Sequence, residues 1–199
     1  MSHPHITAIA QLSATALSFT KGPEPELTIS LRLDDAQRPI TLAKSNQQLF
    51  LAFNALVFRD AATGEQIQSL MCRVDVNMKS APALRLSPET TSKFVSLQPD
   101  VSCEISRIPF RPLGTRRKNT PVDPPQTAYE KYEVLKLGMH RLDVGREYTV
   151  QIRDDITIAS WMEGSLEELL REGKAWAPGE GQNPIKIVPA EAFRFRIEE

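Results

Sequence analysis

The chain has 199 residues, 41% of them hydrophobic, and 24 basic against 25 acidic side chains give it a formal net charge of −1. That length suits one large β domain, and the near-neutral charge excludes a global field that would draw the protein to nucleic acid or to an anionic membrane. Fifteen prolines against nine glycines interrupt the sequence too often for long helices and favour a sandwich or barrel.

At the N-terminus, no Lys or Arg precedes the apolar part, and Gln11, Ser13, Thr15 and Ser18 interrupt it, so it reads as strand rather than as a signal peptide. No run approaches the ~18 apolar residues that a spanning helix needs. The expectation is a soluble, cytoplasmic protein with no membrane partner. Ile6, Ala8, Ala10 and Leu12 alternate and then lose phase near Ala14, as a first strand does when it bulges or switches between sheets. After a Gly-Pro-Glu-Pro turn, Leu27, Ile29, Leu31 and Leu33 alternate with Thr28, Ser30, Arg32 and Asp34, which predicts a half-buried strand. Asp34-Asp35 closes it, and a short strand follows over 39–43.

Leu51, Phe53, Leu56, Val57 and Phe58 lead to an Asp60–Gly64 turn and then to residues 66–76, the pattern of a hairpin. Further on, Phe94, Val95 and Leu97 stand before Gln98-Pro99-Asp100, and Val101, Cys103 and Ile105 alternate after it. Again two strands flank a tight turn. Residues 107–127 have no period. They hold Pro109, Pro112, Pro121, Pro124 and Pro125, with Arg107, Arg111, Arg116, Arg117 and Lys118 opposed only by Asp123. Such a segment reads as a solvated insertion in a single domain, with an anion- or partner-binding arm as its functional alternative. Arg116-Arg117-Lys118 alone is too short for a nucleic-acid patch.

The clearest organisation lies between Leu142 and Gly173. Tyr148, Val150 and Ile152 alternate with Thr149, Gln151 and Arg153, placing three apolar side chains on one sheet face. Asp154-Asp155 makes a bend, and extended structure resumes to Trp161. Ser165 with Glu168 forms a capping-box pattern, Arg171 suits the negative end of the dipole, and Gly173 supplies the residue past the helix end. Leu166, Leu169 and Leu170 give that short helix one apolar stripe, expected to cover an open end of the β core. Trp176 lies in the loop beyond, and Phe193, Phe195 and Ile197 alternate with Arg194, Arg196 and Glu198 in a closing strand.

Motifs with chemistry are missing from this pattern. His3, His5 and His140 have neither His-Glu-x-x-His nor Cys-x-x-Cys company, and there is no nucleophile elbow or phosphate loop, so no metal, cofactor or catalytic residue is expected. The acid pairs Asp34-Asp35, Asp154-Asp155 and Glu167-Glu168 read as turn and cap residues, because adjacent strand residues point to opposite faces. Cys72 and Cys103 fall at apolar positions and read as buried free thiols. The candidate binding residues are Trp161 and Trp176, which flank the helix and could wall a ligand groove, with Arg153, Arg116 and Arg117. For both tryptophans, packing under the helix is the commoner role.

The order of LTISLRL, FRDAATGEQI, KFVSLQPDVS, LDVGREYTVQI, the Trp161 segment with GSLEEL, and PAEAFRFRIE resembles a family of uncharacterised filamentous-fungal β-sandwich proteins. More distantly, the VSLQPD turn followed by LDVGREYTV is similar to the β domain of deuterolysin-type metalloproteases and to small proteinase-inhibitor sandwiches. Asp100 stands where those have glycine, and no metalloprotease motif follows. The resemblance implies a fold rather than an activity. The expected architecture is an immunoglobulin-like antiparallel β-sandwich of about seven to nine strands with one short helix. The expected function is a non-enzymatic interaction module with a protein partner and no nucleic-acid partner. The alternatives are a small-molecule binder or enzyme with a pocket beside the 165–172 helix, and a protease regulator or inhibitor. Limited trypsin is expected to cut first at Arg116, Arg117 or Lys118, leaving two associated fragments; first cleavage within a strand would refute the solvated-insertion reading.

Overall fold

A computed structural model describes residues 4–18, 25–44, 55–67, 86–110, 142–158, 161–176 and 183–198. In chain order its strands are β1 (His5–Leu12), β2 (Ala16–Ser18), β3 (Glu26–Asp34), β4 (Ile40–Ala43), β5 (Leu56–Asp60), β6 (Gln66–Ile67) and β7 (Phe94–Leu97). They continue with β8 (Ser102–Pro109), β9 (Glu147–Ile152), β10 (Thr157–Ile158), β11 (Trp161–Glu163), β12 (Ile185–Pro189) and β13 (Phe193–Glu198). One α-helix, α1 (Leu166–Arg171), and a 3-10 helix over Pro88–Lys93 complete the described elements.

Two five-stranded sheets, ordered β10-β12-β1-β3-β8 and β2-β13-β9-β5-β6, pack over a common core, and β11-β4-β7 forms a smaller third sheet. The fold is an all-β sandwich. Alternation sets its inner faces: Leu27, Ile29, Leu31 and Leu33 of β3 are buried, as are Tyr148, Val150 and Ile152 of β9. Phe110 lies between the sheets, 5.3 Å from the Phe195 ring and 6.2 Å from that of Phe58.

The phase slip near Ala14 is a change of sheet. β1 pairs with β3 and β12 in the first sheet, whereas β2 pairs with β13 in the second. Residues 185–198 make the same crossing beside it. Ile6 faces Ile187 and Ala16 faces Arg196, so the two segments keep step to within one residue while both change sheets. The amides of Ala190 and Arg196 donate to the carbonyls of Ala8 and Thr15 on either side of the crossing. Both of these pairings are parallel, in a sandwich whose other strand pairings among the described residues are antiparallel as expected. Parallel pairing follows because both segments travel from one sheet to the other in the same direction.

Two other boundaries differ from the sequence reading. β7 and β8 flank the Gln98–Asp100 turn but do not pair: β7 joins β4, and β8 joins β3. The turn carries the chain between sheets, with Asp100 in the left-handed region (φ 59°) and its amide donating to Leu33 O at 2.8 Å. The aperiodic segment also begins later than residue 107. Residues 107–109 belong to β8, Arg107 pairs with Glu104 and Glu26, and Phe110 is fully buried. The lack of period there reflects a strand that ends in an aromatic anchor. Residues 111–127, like 50–54, Cys72 and the rest of 68–76, lie outside the described residues.

The helix sits where its cap and stripe predicted. Ser165 Oγ accepts from the Glu168 amide and Glu168 Oε2 accepts from the Ser165 amide, the reciprocal capping box. A second set of bonds ties this end to the small sheet. The Leu166 amide donates to Ser96 Oγ at 2.7 Å, and buried Thr41 Oγ1 donates to Gly164 O at 2.8 Å. With the Thr41 proton so used, Ser96 is the donor in the 2.9 Å bond between the two hydroxyls. Each hydroxyl therefore accepts once and donates once. Gly164, at φ 115°, allows the approach, since a Cβ there would stand 3.3 Å from Leu169 Cδ2. Leu169 packs with Ala43, Leu86, Phe94 and Trp176 in a second apolar cluster.

The paired crossing predicts where the sandwich is most sensitive. Leu17 is buried in β2 and joins the main core. Leu17→Ala is expected to cost about 3 kcal/mol in urea unfolding, against a few tenths for Ala16→Ser on the exposed side of the same strand. Equal effects would mean that β2 does not close the second sheet.

Candidate functional site

The residues singled out from sequence are not gathered into one site. Trp176 is 7% exposed and meets Phe94 edge-on at 4.7 Å, inside the cluster under the helix. Trp161 is half-buried against the main core, and its Nε1 donates to Asn183 O at 3.2 Å. The two indoles thus belong to different clusters and do not form a common wall. Arg153 pairs with Asp155 across the bend, and its amide donates to Ala55 O. Arg116 and Arg117 lie outside the described residues. Cys103 is a half-buried free thiol. Among the described residues, no group of three or more His, Cys, Asp or Glu is placed to hold a metal ion, and no helix is long and apolar enough to cross a membrane.

Several ionisable side chains are instead bound into the architecture. Asp60, 4% exposed at the end of β5, accepts from the amides of Ala62 and Thr63 and from Arg146 Nη1 at 2.9 Å. The Arg146 bond, then the two amides, hold its carboxyl below the ordinary value of 3.8. Arg146 reaches Asp143 as well, in the turn before β9. From that turn the Asp143 amide donates to Tyr148 Oη at 2.7 Å, and burial pushes the phenol upward. Asp34 feels burial most strongly, which raises its pKa. Bonds from Arg32 and Thr7, with the charges of Arg32 and His5, together outweigh burial and leave it lowered. Glu104, Asp155 and Glu168 are also lowered, chiefly by bonds from Arg107, Arg153 and the Ser165 backbone.

A different arrangement occupies the outer face of the β2-β13-β9-β5-β6 sheet. Arg194 is opposite Thr149, Thr149 is opposite Arg59, and Arg59 is opposite Gln66, a transverse row across four strands. Arg196 stands two residues along β13 on the same face. All three arginines are exposed. Arg59 makes one 3.4 Å bond to Gly64 O within its own hairpin, and Arg194 comes no closer than 4.0 Å to Glu147. The Phe-Arg-Phe-Arg alternation at 193–196 was visible in sequence and implied outward arginines. Its continuation to Arg59 depends on β9 pairing with strands far apart in the chain.

Comparison with protein-family models, with curated proteins and with solved structures gave no match.

Because Asp60 has a lowered folded pKa, the unfolded chain binds the extra proton as pH falls, so its contribution is complete above 3.8 and is lost as pH drops through the folded value. Asp60→Asn is therefore expected to be less stable than wild type at neutral pH, with the gap narrowing in urea titrations carried below pH 3.8. A gap independent of pH would show that the carboxylate charge is not what Arg146 holds.

Proposed function

We propose that the chain is a non-enzymatic interaction module built on an immunoglobulin-like sandwich, working in the cytoplasm against a protein partner. The observation that carries this reading is that the described carboxylates are engaged separately rather than gathered in one place: Asp34 by Arg32 and Thr7, Asp60 by Arg146 and two turn amides, Glu104 by Arg107, Asp155 by Arg153 and Glu168 by the Ser165 amide. A paired acid and base would need two such groups at one site.

The immunoglobulin-like reading is supported by the first strand's division between sheets and by Tyr148. That side chain sits near the start of β9 and accepts from the backbone five residues upstream, as the tyrosine of a tyrosine corner does. The free thiol of Cys103 fits a reducing compartment. Within the Trp161–Trp176 segment, Leu169 and Trp176 are buried, and the exposed Glu167, Arg171 and Glu172 pair among themselves and with Lys174, so the segment offers a partner a charged rather than an apolar surface. The same packing weighs against a pocket beside the helix. The protease-regulator reading has one point in its favour: the exposed hairpin tip is held by the Ala62 and Thr63 amides on Asp60 Oδ1 and the Gly64 amide on Asp60 O.

Affinity purification of the full chain from its native cell, with and without residues 111–127, is expected to retain a defined protein in stoichiometric amount. A metabolite library is expected to leave the melting temperature unchanged. A metabolite that raises it and is converted by the protein would overturn the reading, and inhibition of a co-purified protease would favour the regulator.

A further inference from the structure

We propose that the outer face of the β2-β13-β9-β5-β6 sheet is a docking surface for an acidic protein segment, bound through Arg59, Arg194 and Arg196. The inference rests on the interaction-module reading and adds the surface and the chemistry of the partner.

Guanidinium groups on this protein's two outer faces are treated differently. On the β3-β8 side, Arg32 Nε is 2.6 Å from Asp34, and Arg107 is 2.7 Å from Glu104 and 3.5 Å from Glu26. Those forks are already filled. On the β13-β9-β5 side, Arg194 has only the 4.0 Å approach to Glu147, and Arg59 only the carbonyl of Gly64. Arg196 has no ion pair among the described residues, although Glu147 is its register partner. An arginine fork without a carboxylate is a preformed donor set for planar, bidentate recognition of one.

Placement argues against two simpler roles. Charges that protect a sheet edge belong on edge strands, but β13 lies between β2 and β9, and β5 lies between β9 and β6. Thr149 and Gln151 show that uncharged polar residues keep this face wetted equally well. Glu147 and Glu198 share the face, so three cations stand against two anions and the excess is positive. With strands ~4.8 Å apart, Arg194 and Arg59 are separated by roughly 10 Å of backbone, close to the distance spanned by three residues of an extended chain. In an extended segment residues two apart share a face and lie roughly 7 Å apart, so acidic side chains at alternate positions would meet both arginines within the reach of their long arms. Nucleic acid fits less well, because the outward residues of β5, β9 and β13 include no aromatic ring on which a base could stack.

The test uses the full chain and a fluorescein-labelled peptide of alternating glutamate and serine, followed by anisotropy. Binding is expected to weaken with added salt, to be absent for the lysine-serine counterpart, and to fall about tenfold in R59Q/R194Q/R196Q, whose circular dichroism and melting temperature should match wild type. Unchanged affinity in the triple variant would overturn the proposal. Tighter binding of a single-stranded oligonucleotide of equal charge would also do so, assigning the face to nucleic acid. Self-association in sedimentation that the triple variant abolishes would assign it to a second copy of the chain. Failure of the peptide while a partner is still captured from cells sinks this inference alone, whereas failure to capture any partner sinks the reading beneath it.

Discussion

The constraint on which the rest of the sandwich depends is the joint crossing of its two terminal segments. Residues 5–18 and 185–198 run side by side, in step, and pass together from one large sheet to the other. Each sheet therefore contains one strand from each end of the chain. The crossing fixes the relative position of the sheets through backbone bonds, at Ala190 to Ala8 and Arg196 to Thr15, rather than through side-chain packing alone. Side chains then fill the space thus defined, mostly Ile and Leu, with Phe110, Phe195, Phe58 and Tyr148 as its aromatic centre. Contacts so distant in sequence make folding pay a large loop-closure cost before the core is rewarded.

Among the described residues the buried polar side chains are Thr41 and Asp60, and each bonds to a place where the chain changes direction. Asp60 organises the β5-β6 turn and, through Arg146, the turn before β9, so one carboxylate holds two loops at the same end. Thr41 and Ser96 do the corresponding work for the helix. Their hydroxyls link the Leu166 amide to the Gly164 carbonyl and satisfy groups that the sheet and helix would otherwise leave unpaired. In both cases polarity buys position.

The two outer faces differ for the same physical reason that the interior is uniform. Inside, alternation alone selects apolar residues. Outside, it selects only against them and leaves the arrangement of charge free to serve something else. One face closes its arginines with neighbouring carboxylates, and the other leaves Arg59, Arg194 and Arg196 open to solvent. The candidate surface follows from that contrast rather than from any pocket.

Much of the fold was legible in the chain. Strict period-two runs located β3, β9 and β13, and Ser165, Glu168 and Gly173 located the helix, because these signals depend on residues within a few positions of one another. The slip near Ala14 was legible as a bulge or a switch between sheets, but neither which of the two it was nor its partner. Only the tertiary structure decided that β12 and β13 would accompany it in parallel, that β7 and β8 would part company, and that Phe110 would be core. It also separated Trp161 from Trp176 and aligned Arg194 with Arg59. Local pattern determines which face of a strand is apolar; register between strands distant in sequence is settled by packing of the whole core, and so no short stretch of the chain encodes it.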